Sequence, residues 1–449
     1  MPQDLWSAGW LTDLGALALD DVSPPADPLL CRRWVLDWHD AVRSARAWRE
    51  RRVLLNAARA PEQAFAAALR WARHEVPHYR DLDPNLPPGE LEPFQRGDYD
   101  RDPTRFRAAE LAARPKKSSG TTGTSLTVFF DDAAWFEANQ ATFSILHEWS
   151  PAPPGPPVVV LVTFRTDAER FVVPMPLLRG THRRVSIGRD GDEDDAVVAQ
   201  LRAHPPAILH GKPSALLALA RADATPTGEH IRPVRIFTSG ENLFADDIRT
   251  LADWFGSPIT DAYASVEGGL IALQCPLGSG LHVPPERLLE VEPEPGQLRT
   301  RGSGRLILTN LTNRATVFLR YRTDDSGTLT DGACTCGHRG QTISEFHGRE
   351  ATEFRDGSRT VEVTALTAAM DRLGVPGFQF SCHDSGYVLR LAIDDGEPDL
   401  DTEIRTALRP VLGAAHLDIV RAPALTPPPG GKAWRFRDYS SAAFDVPRR

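Results

Sequence analysis

Lysine is almost missing from this chain. Of 51 basic residues only Lys116, Lys117, Lys212 and Lys432 are lysines, and the other 47 are arginines. Such a bias points to a GC-rich coding background, in which each retained lysine gains interest, because an ammonium on a flexible stem serves purposes that a guanidinium does not. An excess of positive charge is missing too. Asp and Glu number 60 and the net charge is −9, so the whole-chain footprint of a nucleic-acid binder is absent. No apolar run approaches the ~18–20 residues that span a bilayer; Val158–Phe164 is the longest strand-like run and is far shorter. The first fifteen residues, MPQDLWSAGWLTDLG, carry Asp4 and no basic region ahead of an apolar stretch, unlike a secretory signal. Cysteines number five in 449 residues, an odd and sparse set that does not make a disulfide framework. These absences lead us to expect a cytoplasmic protein, monomer or homodimer, with no nucleic-acid and no membrane partner.

What is present is ordinary globular composition, 41% hydrophobic and 25% charged. The length suits two or three domains, or one large and one small. Residues 1–110 read as mostly helical and tryptophan-rich. Trp34, Val35, Trp38, Val42 and Ala45 recur at helical spacing, and a second helical pattern over 62–74 meets Pro77, which disfavours continuation. From 115 to 345 strands and helices alternate. Strands are expected at 126–130, 158–164, 207–209, 234–237, 259–262, 306–311 and 316–321, and helices at 133–149, 195–203, 213–220 and 245–255. Alternation of this kind favours an α/β fold. Past Gly348 the pattern becomes a compact α+β unit, with helices over 360–373 and 402–412 and strands at 379–382, 387–392 and 417–420. No internal repeat or low-complexity tract is found.

The run KSSGTTGTS at 117–125 sets small hydroxyl residues and two glycines ahead of an apolar strand. Backbone amides can approach an anion there, with O–H donors around it. A P-loop it is not, since no lysine closes it and no helix follows. By composition alone it is equally a solvated turn, and the motifs downstream decide. In order these are YASVEGG at 263–269, YRTDD at 321–325, Gly348-Arg349, and Gly431-Lys432. Together they resemble the phosphate loop, the Y-G-x-[ST]-E segment, the Y-R-T-G-D segment, the hinge and the C-terminal lysine of the adenylate-forming superfamily of acyl-CoA synthetases and adenylation domains. EVPHYR at 75–80, HGKPSAL at 210–216, and the pairing of Gln274-Cys275 and GLHV at 280–283 with CTCG at 334–337 resemble the phenylacetate–CoA ligase-like group within it.

The resemblance implies a large AMP-binding α/β domain of mixed sheets and helices over 1–348. A small α+β lid would follow over 349–449. It implies ATP-dependent activation of a small, aromatic carboxylic acid as acyl-adenylate, then transfer to CoA. Ser118, Ser119, Gly120, Thr121, Thr122, Gly123 and Thr124 would hold phosphates. Ser239, Gly240 and Glu241, with Ala262, Tyr263, Ala264 and Ser265, would line the adenine. Asp325 would accept the ribose hydroxyls and Arg349 would reach ribose or phosphate. Glu267 would ligate Mg²⁺ with a hard oxygen, and Lys432 would bridge the substrate carboxylate and the α-phosphate. The acid pocket would draw on 162–164, Lys212, 239–241 and 263–269.

Two positions depart from the pattern. Asp324 stands where the family has Gly, and Ala351 where the hinge has Asp. The second leaves the acceptor open between CoA and an amine or other nucleophile, as in an amide synthetase. A non-catalytic nucleotide-binding homologue is the other alternative, against which Glu267, Asp325 and Lys432 argue. Cys275, His282, Cys334 and Cys336 form a Cys₃His set of the type that holds structural Zn²⁺, with His338 a rival fourth ligand. Cys31 and Cys382 read as ordinary buried thiols.

Overall fold

Apolar alternation between residues 94 and 348 resolves into one thirteen-stranded sheet. The computed structural model describes residues 38–56, 60–83, 86–118, 126–148, 157–164, 172–178, 180–188, 194–223, 230–278, 280–348, 353–356, 359–373, 375, 378–391, 398–422, 425 and 435–439. They group into two compact units, Met1–Leu243 with Asp247–Phe346, and Phe244–Asp246 with His347–Arg449.

In chain order the strands of the first unit are β1 (Phe94–Gln95), β2 (Arg114–Lys117), β3 (Thr127–Phe130), β4 (Val158–Phe164), β5 (Val172–Met175), β6 (Gly180–Ile187), β7 (Ile208–Gly211), β8 (Arg235–Ser239), β9 (Ile259–Ser265), β10 (Gly269–Gln274), β11 (Leu281–His282), β12 (Arg287–Glu292), β13 (Gly302–Asn310), β14 (Tyr321–Ala333) and β15 (Arg339–Gly348). The sheet runs β12-β13-β14-β15-β11-β10-β9-β8-β7-β4-β6-β5, with β1 added beside β14. Its middle, β6-β4-β7-β8-β9, is parallel. From β9 onward the pairing described turns antiparallel. β2 and β3 form a separate hairpin.

Five longer helices accompany it: α1 (Trp38–Asn56), α2 (Pro61–Glu75), α3 (Asp195–Ala203), α4 (Pro213–Ala222) and α5 (Ala245–Phe255). Strand β4 is a nearly unbroken apolar run because both of its faces are covered, as in parallel sheets. Val160 and Val162 pack with Leu216 and Leu219 of α4 and with Leu251 and Phe255 of α5. Val159 on the opposite face joins Phe143, Ile208 and Phe237. Helix α2 starts at Pro61, buries Phe65, Leu69 and Ala72, and stops at Val76 before Pro77. Tyr79 then pins this region to the sheet end, donating to the Val317 carbonyl (3.1 Å) and accepting from Leu319 N–H (3.0 Å).

Three expectations need correction. The helix over 133–149 is broken: Asp132–Phe136 and Thr142–Glu148 are α, but Glu137–Ala141 between them is a π turn. Residues 316–320 are not a strand. The chain crosses there to β14, and Arg320 takes φ 57° while its guanidinium grips Glu290 (2.8 Å) and the Leu91 carbonyl (2.8 Å). The helix over 360–373 starts later, at Val363, because the preceding residues pair as a hairpin. Strands β1, β2, β5, β6, β10, β11, β12 and β15 have no counterpart in the expectations.

The second unit carries β16 (Glu353–Asp356), β17 (Arg359–Glu362), β18 (Phe378–His383), β19 (Gly386–Leu391), β20 (Leu417–Arg421) and β21 (Phe436–Asp438), with helices α6 (Val363–Arg372) and α7 (Pro398–Leu412). Its four-stranded sheet has the order β20-β19-β18-β21. Phe354, Leu366, Met370, Phe380, Leu389, Ile404 and Leu408 make its own core, and Cys382 is buried in it as expected. No helix among the described residues is long and apolar enough to cross a membrane.

Candidate nucleotide site and metal centre

Residues 263–269 form the β9–β10 hairpin, with Ser265 opposite Gly269. The sequence dictates this turn. Ser265 Oγ accepts from Gly268 N–H (3.0 Å), Gly269 sits at φ 66°, and a Cβ on Gly268 would meet Ile271 at 2.5 Å. Glu267 lies within the turn yet is only 8% exposed. The Tyr321 hydroxyl donates to its carboxylate at 3.4 Å. Two further contacts clamp the backbone: Asn310 Nδ2 donates to the Glu267 carbonyl (3.1 Å) and Arg287 Nε to the Gly268 carbonyl (2.6 Å). Arg287 in turn pairs with Glu137 of the π turn at 2.8 Å, both buried. Burial pushes the Glu137 carboxyl up, Arg287 pulls it back, and Glu286 adds to the rise. Arg287 and Asn310 were invisible to sequence reasoning, since neither lies in a quoted motif.

Asp325 lies within hydrogen-bond reach of this hairpin. The Tyr263 hydroxyl donates to Asp325 Oδ2 at 2.7 Å, and Asp325 N–H donates to Thr323 Oγ1 at 3.2 Å. Tyr263 packs on Phe346 at 4.4 Å between centroids. Burial first, then the Asp325 charge, holds the Tyr263 phenol well above its ordinary range, so it remains a donor. Asp324 is exposed, and Arg322 is taken by Glu292 (3.0 Å). Two carboxylates, Glu267 and Asp325, thus stand close to the C-terminal end of the parallel strands, each oriented by a tyrosine hydroxyl.

Strand register brings the third segment to the same end, with Ser239 of β8 beside Ala262 of β9. Gly240 turns at φ 84°. Glu241 is buried and its carboxylate faces the start of α4, accepting from Ser214 N–H (3.2 Å) with Lys212 Nζ at 3.4 Å. An anion at a helix N-terminus is favourable, so Glu241 and Lys212 are occupied with each other and the helix. Ser239 Oγ is 3.0 Å from His210 Nε2.

Ser118 closes the neck of the hydroxyl-rich run: its Oγ accepts from Leu126 N–H (2.8 Å) and its own N–H reaches the Leu126 carbonyl (2.8 Å). Ser119, Gly120, Thr121, Thr122, Gly123 and Thr124 lie outside the described residues, as do Arg349, Ala351, Lys432 and Cys31.

Cys275, His282, Cys334 and Cys336 come together, their ligand atoms all within 4.8 Å of one another. Cys275 Sγ and Cys334 Sγ are 3.8 Å apart. Tetrahedral Zn²⁺ with bonds of about 2.3 Å to sulfur needs about 3.8 Å along each S–S edge. His282 Nε2 is 3.2 Å from Cys336 Sγ while its Nδ1 meets Thr342 Oγ1 at 3.0 Å, a partner that sets the ring for ligation. The donor set therefore fits zinc. Rival His338 instead stacks on His282 at 4.1 Å, with its Nε2 3.2 Å from the Gln341 carbonyl oxygen. Burial pushes the Cys336 thiol up to about 12, and Cys334 and Cys275 add to this; a dication reverses that by binding thiolates.

The fold is shared with 2-hydroxyisobutyryl-CoA ligase. The structure of that enzyme in the postadenylation state with R3-HIB-AMP matches at a TM-score of 0.65 and 15% identity, over 84% of this chain and 88% of that one. Its open conformation in complex with 2-HIB-AMP and CoA matches at 0.55 and 14% identity, over 89% and 94%. No protein-family model and no curated protein matches the sequence. By its architecture the chain has the fold of that CoA ligase.

Proposed function

We propose that this protein activates a small carboxylic acid with ATP as the acyl-adenylate and passes the acyl group to CoA. The observation that carries this reading is the joint placement of Glu267 and Asp325, each held by a tyrosine, in a fold shared with a ligase that binds an acyl-AMP and CoA. In the first step a carboxylate oxygen attacks the α-phosphorus, the new P–O bond forms and pyrophosphate leaves. In the second, the CoA sulfur attacks the acyl carbon and AMP leaves. Asp325 accepts the ribose hydroxyls, and Tyr263 holds that carboxylate in place. The backbone of Ser239, Gly240 and Ala262–Ser265 flanks the adenine, and the 118–124 run receives the phosphates. Glu267 would supply an oxygen ligand for Mg²⁺, which when bound would withdraw charge from the phosphates. By resemblance to the family, Arg349 would reach ribose or phosphate, and Lys432 would place its charge where the pentavalent phosphorus develops. The Cys₃His centre serves structure, tying β11 and the 275–278 turn to the 334–338 turn.

An aromatic acid is what the resemblance to the family suggests. The test is pyrophosphate release across a panel of acids, with and without CoA. Acid-dependent release that ends in a thioester is the expected outcome. Release without a thioester, but with amide formation from an added amine, would move the acceptor to an amine, in keeping with Ala351 at the hinge. No release with any acid would overturn the reading. Glu267→Gln is expected to cut release at least about 10²-fold, the effect of losing one strong electrostatic stabiliser.

A further inference from the structure

Three buried carboxylates stand near the β9–β10 turn: Glu137, Glu267 and Glu286. Two of them have a cation. Glu137 pairs with Arg287 at 2.8 Å and Glu286 with Arg52 at 3.1 Å, and both arginines are buried as well. Among the described residues Glu267 has no basic partner, and the Tyr321 hydroxyl at 3.4 Å is what its carboxylate receives. Burying a carboxylate without a cation costs free energy that a bound dication would offset. Its hard oxygens suit Mg²⁺ or Mn²⁺.

The backbone that carries Glu267 is held from a single rung of the sheet. Arg287 and Asn310 lie directly opposite each other in the β12–β13 ladder. Asn310 Nδ2 takes the Glu267 carbonyl and Arg287 Nε the Gly268 carbonyl, so two successive peptide planes are fixed. Neither side chain is free to swing. Asn310 Oδ1 accepts from the N–H groups of Thr312 and Asn313 at 3.0 and 3.2 Å. Arg287 Nη1 donates to the Glu286 carbonyl (2.8 Å) and to Thr312 Oγ1 (3.1 Å), while Nη2 meets Glu137. The turn also rests on the π turn, since a Cβ on Gly269 would come within 3.3 Å of Ala138 Cβ and of Arg287 Nη2. Ser265 and the positive φ of Gly269 already specify the reversal of the chain. The added contacts fix the residue between them, Glu267.

We propose that Arg287 and Asn310 are positioning residues, which hold the Glu267 carboxylate ready for a divalent cation that arrives with the nucleotide. This inference rests on the adenylation reading above. A ligand ordered before the metal binds loses no freedom on binding, so the brace contributes to metal affinity without touching the metal. Glu137 acts one step further out, by fixing the Arg287 guanidinium.

The experiment is calorimetric titration of the full chain with Mn²⁺·ATP and with ATP in chelator. The quantity read is the gain in nucleotide affinity that the metal brings, free of turnover. Wild type is compared with Glu267→Gln, Arg287→Lys, Asn310→Ala and Leu201→Ala. Arg287→Lys keeps a cation against Glu137 and loses the planar fork. Leu201→Ala opens a cavity in the separate core around α3 and reports what lost stability alone does. Glu267→Gln is expected to abolish the gain. Arg287→Lys and Asn310→Ala are expected to cut it about 10- to 100-fold, the usual cost of losing a group that orients a metal ligand. Metal-free ATP should bind these variants as it binds wild type, and Leu201→Ala should keep the full gain. Melts establish which variants are folded, and if Asn310→Ala is not, Arg287→Lys decides alone. A gain that survives in the brace variants, or falls as far in Leu201→Ala, would overturn the positioning role and leave adenylation standing. Equal losses with and without metal would overturn it as well, as would a gain untouched by Glu267→Gln. Wild type that binds neither form of ATP and releases no pyrophosphate with any acid would instead sink the adenylation reading.

Discussion

The Tyr263 hydroxyl, 2.7 Å from Asp325, shows how much of this site is side-chain placement. A hydrogen bond to a charged group is worth about 1.5–3 kcal/mol, and here it also fixes the rotamer of the proposed ribose acceptor. Tyr263→Phe keeps the ring on Phe346 and removes only the oxygen. We expect KM for ATP to rise about tenfold with little change in thermal stability; initial-rate kinetics with unaltered KM would remove Tyr263 from the nucleotide site. Arg287 works differently. It sits in the core, bound to Glu137 and to the Gly268 carbonyl, so Arg287→Met leaves a buried carboxylate without its cation. The expected loss is about 3–5 kcal/mol, and Glu137→Leu in the same chain should recover much of it, since a buried ion pair and an apolar pair of similar volume are often near parity. Denaturant unfolding of the single and double variants measures both numbers. A double variant as unstable as the single one would show that the clamp on Gly268 matters more than the unpaired charge.

At the scale of elements, the zinc set joins pieces distant in sequence. Cys275 follows β10, His282 ends β11, and Cys334 and Cys336 lie between β14 and β15. Each strand pair is short there, β10–β11 having two residue pairs and β11–β15 two, so a bound zinc would supply cohesion that the ladder lacks. Protein purified without chelator should hold about one zinc per chain. Cys334→Ser should lower occupancy and Tm together, because metal binding is linked to folding. Elemental analysis and thermal melts read the two quantities, and a zinc-free protein of full stability would refute the centre. The π turn at Glu137–Ala141 is a second device of this kind. It begins at Glu137, whose carboxylate pairs with Arg287, and it shifts the register of the helix that follows. Periodicity over 133–149 is helical throughout, so nothing in the pattern marked the insertion.

Across the whole molecule, buried histidines set the response to acid. Burial lowers His78 to about 4, with Arg105 adding to the effect, and its ring stacks on Phe106 at 4.3 Å. His182 and His210 are lowered likewise. With an ordinary value near 6.5, the unfolded chain binds more protons than the folded one between about pH 4 and 6.5. Their stabilising contribution is complete above that window and is lost as pH falls through it. Asp261 opposes them. Burial raises it to about 6, so its contribution is present near pH 4 and is lost as pH rises through 6. The three histidines outweigh Asp261 and Glu137, whose carboxyl burial also raises, and Tm should fall from pH 7 to 5. His78→Phe keeps the stack and removes the proton, and should flatten that slope in melts across the range. An unchanged slope would show that His78 is solvated enough to titrate normally.

Much of the architecture was legible from residues alone, because it follows from local rules. Unbroken apolar runs such as Val158–Phe164 mark strands covered on both faces, Pro77 stops α2, and glycines at 268 and 269 demand a tight turn carrying Glu267. The Cys₃His set was legible as well, since thiols and imidazole in a chain without a disulfide pattern point to a metal. Tertiary structure decided the rest. The chain places Tyr263 62 residues from Asp325, and only sheet order brings them to 2.7 Å. It decided that Glu241 and Lys212 serve the start of α4, because an exposed-looking Ser-Gly-Glu segment says nothing of which helix it faces. It selected His282 over His338, equal by composition, through the strand register that aims Nε2 at Cys336. And it brought His182 and His210, on separate strands, to 6.5 Å with Phe143 against both. Proximity of that kind is a property of packing, and no one-dimensional pattern encodes it.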